Sequence, residues 1–174
     1  MTGYSRECGG DNSQGSGPAA RGVAATGDDR QGREYPPRPI VGIGVAVLKS
    51  DAVLLVRRGR PPSLGAWSLP GGAQHLGETA EAAARRELAE ETGLTVGQLV
   101  LVANVDSIHR DPDGRVRFHY TILDFAGRWS GGEAVAGSDV TDAAWAAFDR
   151  FDDYSLWSEA RRVIALARGL VLGG

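Results

Sequence analysis

The chain reads as an α/β protein, a mixed β-sheet covered by helices and preceded by a disordered N-terminal tail. Three observations carry this. Apolar runs of strand length alternate with two stretches of helical period, the alternation that builds layered α/β domains. Asp111-Pro112-Asp113-Gly114 is a turn signature between two of the runs, because Pro presets φ and Gly tolerates positive φ. The run at 40–48 is apolar on both faces, which suits a strand covered from two sides.

Taken in order, residues 1–38 are rich in Gly, Ser, Asp and Arg and poor in aliphatics. Such a segment cannot bury enough surface to offset its ordering entropy. It is read as a disordered tail, and residues 39–171 as one domain. Pro36-Pro37 and Pro39 stiffen the approach to the first strand, 40–48. Gly42-x-Gly44 is no dinucleotide fingerprint, since the third glycine is missing and no helix follows. Ser50-Asp51 turns into a second strand at 52–56, and a Gly/Pro-rich loop at 59–66 leads to a short extended piece at 67–69. Pro70-Gly71-Gly72 breaks that piece. Thr79 is a good N-cap for a helix whose apolar face is Ala80, Ala83, Ala84 and Leu88, and Gly93 is its stop. Strands at 99–105 and 116–126 form the hairpin, a Gly-rich loop spans 129–138, and a last strand runs 143–148. Ala160, Val163, Ile164 and Ala167 have helical spacing, with Gly169 as the expected stop.

Size and composition exclude several classes. The chain has 174 residues and a net charge of −3, enough for one domain with a real core and too little positive charge for a nucleic-acid footprint or membrane patch. Cys8 is the sole cysteine, so neither an intrachain disulfide nor a cysteine zinc site is available. No opening run resembles a signal peptide and none is long enough to span a bilayer. The expected location is the cytoplasm.

The stretch at 72–94 concentrates the chemistry. Glu87, Glu90 and Glu91 fall at i, i+3 and i+4 and share one helix face. They stand at the helix C-terminus, where the dipole disfavours each carboxylate by roughly 0.3–1 kcal/mol. A divalent cation is the simplest compensator, and carboxylate oxygens are what a hard ion accepts. Without a wider pattern, a solvated helix face would be the default reading of three glutamates.

The wider pattern is present. Gly72, five residues, Glu78, seven residues, then Arg86-Glu87-Leu88-x-Glu90-Glu91-x-Gly93-Leu94 matches the Nudix box at every specified position. The chain resembles the Nudix hydrolase family over about residues 39–168. The segments at 115–125 and 131–145 look most like the bacterial ADP-ribose pyrophosphatase-like branch. The resemblance implies an α/β/α sandwich around a mixed sheet. It also implies hydrolysis of the pyrophosphate in a nucleoside diphosphate derivative, with Mg²⁺ or Mn²⁺ as cofactor and ADP-ribose or a related nucleotide sugar as substrate. Glu87, Glu90 and Glu91 match the family's metal ligands, the Gly72 carbonyl is often another, and Arg86 with Glu78 match the pair that orients them. The general base is a box glutamate, Glu87 or Glu91, or an acid on the later loop, Glu133 or Asp139. Arg58 is a candidate for phosphate, and Trp67 and Tyr120 for stacking on a base, against the plainer readings of a strand-end arginine and a core tryptophan.

Two other readings stay open at this level. One is a MutT-like pyrophosphohydrolase acting on oxidised nucleoside triphosphates. The other is a non-catalytic ADP-ribose-sensing regulator, although no basic helix follows the last strand. A small-molecule nucleotide is the expected partner, with neither nucleic acid nor membrane, and a homodimer is among the assemblies the resemblance implies.

Overall fold

A computed structural model describes residues 32–60, 63–137 and 139–173. The strands are β1 (Ile40–Leu48), β2 (Ala52–Arg58), β3 (Trp67–Ser68), β4 (Val100–Arg110), β5 (Val116–Arg128) and β6 (Val140–Ala147). The helices are α1 (Ala80–Thr92) and α2 (Ser158–Leu172), with a 3₁₀ turn at Phe151–Tyr154. They form one mixed sheet in the order β3-β2-β1-β5-β4, with β6 on β2. β1 and β5 run parallel, from Ile40 opposite Tyr120 to Leu48 opposite Arg128. The other pairings are antiparallel.

Strand alternation divides the core in two. Ile43, Val45, Val47, Leu54 and Phe125 meet Ala83, Ala84 and Leu88 of α1. Ala46, Leu48, Val53, Leu55 and Ala126 meet Ile164 and Ala167 of α2. The sheet therefore lies between two helical layers, the expected α/β/α sandwich. Small alanines at 80, 83 and 84 let α1 sit close to the sheet.

Both ends of α1 follow from its sequence. Thr79 Oγ1 accepts the Ala82 N–H at 3.1 Å, and Gly93 adopts a left-handed conformation (φ 69°) with its N–H on the Ala89 carbonyl. The hairpin turn also forms as written, with Asp111 Oδ1 accepting from the N–H groups of Asp113 and Arg115.

Several boundaries differ from expectation, β4 among them, which runs on to Arg110. α2 continues through Gly169 to Leu172, because the apolar face extends to Val171 and Leu172, which pack on the second core. β6 begins at Val140, since β2 pairs along its whole length up to Arg58. Most of the expected tail, 1–31, lies outside the described residues, but its end at 34–35 is bound to the hairpin. Tyr35 donates its N–H to the Arg117 carbonyl and its hydroxyl to Asp111, and Glu34 pairs with Arg117. Among the described residues no helix is long and apolar enough to cross a membrane.

Candidate active site

β1 diverges from β2 after the pairing of Leu48 with Val53, and residues 70–74 fill the gap along its edge. Ile43 N–H donates to the Gly72 carbonyl at 2.8 Å, Val45 N–H to Pro70, and Gln74 N–H to Val41. Gly71, at φ 154°, has no room for a side chain, because a Cβ there would strike the Ile43 carbonyl. At Gly72 it is the Glu87 carboxylate that occupies the space a Cβ would take. The double glycine thus brings backbone against the acidic face of α1.

Arg86 organises that face. Its Nε and Nη2 grip both oxygens of Glu78 at 2.9 and 3.0 Å, its Nη1 donates to Glu87 at 2.7 Å and Glu90 at 3.2 Å, and Nη2 also reaches the Ala73 carbonyl. Glu78 in turn accepts the His75 N–H. The Arg86 contact, then that N–H, holds Glu78 well below the carboxylate range, at about 2. The same carboxylates, Glu78 first, raise Arg86 above its ordinary value.

Glu91 has a different environment. It is 8% exposed and accepts the Gly71 N–H at 2.9 Å. Burial, with the negative charges of Glu87 and Asp139, lifts its pKa to about 7 against the opposing pull of the Gly71 N–H and Arg58. Glu90 is largely exposed. The unfavourable helix terminus is answered by the loop before β6. Val135 N–H donates to the Thr92 carbonyl and Gly137 N–H to that of Glu91, satisfying carbonyls that a helix end leaves open.

Two cavities meet here. The acidic one, about 790 Å³, is lined by Glu87, Glu90, Glu91, Arg58, Arg60 and Asp139. The other, about 440 Å³, lies on the α2 side of the sheet among Trp67, Ile122, Trp157 and Val163. They share Arg33, Arg58, residues 71–73, Phe118 and Tyr120.

Most residues singled out in the sequence converge on these cavities. Gly72, Arg86, Glu87, Glu90 and Glu91 line the acidic one, Glu78 anchors Arg86 behind it, and Arg58 and Tyr120 stand on the shared wall. Arg58 Nε is buried without a partner. Trp67 lines only the second cavity and packs edge-on against Tyr154 at 5.1 Å, so it is core and cavity wall together, away from the glutamates. Glu133 is exposed and lines neither cavity. The loop crosses the end of α1 at 135–137 and presents Asp139 to the cleft instead, where it pairs with Arg60 at 2.5 Å. Phe118, Asp124 and Ser68 also line the second cavity. Of these, Asp124 carried a legible signal, an acid inside the apolar run Tyr120-Thr121-Ile122-Leu123-Asp124-Phe125.

The donors fit a hard divalent cation. As placed, Glu87 and Glu90 are turned to Arg86 and Glu91 to Gly71, and among the described residues no three acidic, His or Cys side chains already enclose one point. Glu90, being exposed, is free to leave Arg86, and the Gly72 carbonyl retains a lone pair beyond its bond to Ile43.

A sandwich whose acidic helix end meets a backbone loop beside an apolar cavity offers carboxylates for a divalent cation next to a concave, partly apolar small-molecule site. The chain belongs to the NUDIX domain family, whose model matches residues 38–167. It is 39% identical over 105 residues to an ADP-ribose pyrophosphatase of Methanocaldococcus jannaschii, a match covering 60% of each chain. Over 61 residues it is 46% identical to an oxidized purine nucleoside triphosphate hydrolase of Danio rerio, covering 35% of this chain and 39% of that one. The matched stretches thus span 60% and 39% of these relatives' lengths, less than two thirds of either. The solved MutT NUDIX hydrolase from Burkholderia pseudomallei superposes with a TM-score of 0.64 at 29% identity, covering 74% of this chain and 98% of that structure.

Proposed function

We propose that the chain hydrolyses the phosphoric anhydride of a nucleoside diphosphate derivative with the help of a divalent cation, and that ADP-ribose or a related nucleotide sugar is its substrate. The observation that carries this is the continuity of an acidic cleft with an apolar, aromatic cavity across one wall, Arg58, residues 71–73 and Tyr120. A pyrophosphate fits the first and a nucleoside the second.

Glu87, Glu90, Glu91 and the Gly72 carbonyl are the donors for Mg²⁺ or Mn²⁺. The ion would supply charge neutralisation at the pyrophosphate and acidity for the attacking water. The protein's own groups do the rest. Arg86, anchored by Glu78, sets the positions of Glu87 and Glu90. Arg58, on the shared wall, is placed to hold a phosphate oxygen. Glu91, buried at the floor of the cleft and held by the Gly71 N–H, is the group to which this reading gives the proton of the attacking water. Glu133 faces solvent outside the cleft, and on this reading the base role goes to Glu91 in its place.

The test is a nucleotide panel with Mg²⁺, comparing wild type with Glu91→Gln. ADP-ribose should yield AMP and ribose 5-phosphate, and the variant should lose about 10²-fold or more in kcat. Equal small rates from both proteins on every compound would end the enzymatic reading. The zebrafish relative's name favours a second substrate class, oxidised nucleoside triphosphates, and release of inorganic pyrophosphate from these would show it.

A further inference from the structure

Gly42 and Gly44 leave β1 bare on the α2 side, opposite Ile122 and Asp124 of the parallel β5. A Cβ on Gly44 would collide with Asp124 Oδ1. The carboxyl therefore lies over the glycine, in the middle of the sheet, and the glycine exists to admit it. Asp124 is 5% exposed and lines the second cavity with Ile122, Ala160 and Val163. No described residue donates a hydrogen bond to it, and Arg162 is the one charge that lowers its pKa, against a burial effect that raises it to about 6. Ser68 Oγ, on the same cavity wall, is also buried without a partner. Buried polar groups are almost always paired, and an unpaired carboxyl is among the costliest exceptions. No described residue pairs with the carboxyl and it opens on the cavity, so the donor of a bound ligand is its natural partner.

We propose that Asp124 reads the amino-bearing edge of a purine base held in the apolar cavity. The inference rests on the nucleotide reading of the two cavities. Trp67, Phe118, Tyr120 and Trp157 line the cavity, and aromatic side chains are good neighbours for a planar ring. An Asp124 oxygen accepts an exocyclic N–H in either protonation state. The neutral acid can also donate to the adjacent ring nitrogen of adenine, and the carboxylate can accept the ring N–H of guanine. A sugar hydroxyl is a poorer candidate. Asp124 lines the apolar cavity and not the acidic one, so it faces the end of the nucleotide furthest from the pyrophosphate.

Two ligand pairs differ by one amino group only: AMP against purine riboside 5′-monophosphate, and GMP against IMP. Their affinities are measured calorimetrically for wild type, Asp124→Asn and Asp124→Leu. Wild type should bind the amino-bearing member of at least one pair about tenfold more tightly, the scale of one buried hydrogen bond. Asp124→Leu should bind both members alike, and Asp124→Asn, which keeps an acceptor oxygen, should retain a preference. Asp124→Ala gives the same comparison if the leucine variant does not fold. The proposal is overturned by equal wild-type affinities within both pairs, by failure of all four ligands to bind, or by a preference that survives in Asp124→Leu. Selective binding without hydrolysis sinks only the catalytic reading; hydrolysis without selectivity sinks only this one.

Discussion

Arg86 Nη1 donates to two carboxylates at once while Nε and Nη2 hold a third. A planar fork can do this and an ammonium cannot. Arg86→Lys should therefore weaken apparent Mg²⁺ affinity about ten- to hundredfold while leaving kcat at saturating metal much less changed; a metal titration of activity checks it. Glu91 makes a pH prediction. Its folded pKa is raised from 4.5 to about 7, so the folded protein holds this proton more tightly than the unfolded chain. Its contribution to stability is present below 4.5 and is lost as pH rises towards 7. A cation needs the carboxylate, so Mg²⁺ binding at pH 6 should release a proton, and release should vanish by about pH 8.5. Calorimetry at each pH in two buffers of different ionisation enthalpy measures this directly. Glu78 has the opposite sign. Its stabilisation is present above 4.5 and is lost as pH falls towards 2.

The decisive element is the backbone at 70–74, wedged along β1 by three hydrogen bonds. Gly71→Ala forces a Cβ onto the Ile43 carbonyl and should cost about 1–3 kcal/mol in urea unfolding, with metal-dependent activity falling alongside. A variant of unchanged stability would show that the loop yields. α1 itself was readable residue by residue, because its cap, apolar spacing and left-handed stop are local. The length of α2 was not. Gly169 costs a helix only about 1 kcal/mol, and apolar packing of Val171 and Leu172 on the sheet overrides it.

At the scale of the molecule, residues 34–35 tie the start of the described chain to the β4–β5 hairpin. A chain starting at Pro36 should melt about 2–4 °C below one starting at Gly32, since exposed contacts contribute modestly. Identical melting temperatures would show that the tie is inert. The grouping of Glu87, Glu90 and Glu91, with Arg86 one turn before Glu90, was legible in the sequence, because helical spacing brings them together whatever the rest of the fold does, whereas Glu78 precedes the N-cap and was legible only as part of the motif. The acid nearest them from the later loop was not. Glu133 and Asp139 are equally plausible as letters, and only the docking of 135–137 on the end of α1 turns one outward and the other into the cleft. The pairing of Gly44 with Asp124 was still less accessible. It depends on the parallel register of β1 and β5, set by two cores rather than by any neighbouring residue. Local spacing determined the acidic face, since that needs only a helix and its caps, and the motif from Gly72 to Leu94 marked the family. Tertiary structure alone decided which loop acid meets the site, and that a buried carboxyl waits in the adjoining cavity, because long-range register and packing choose what faces what.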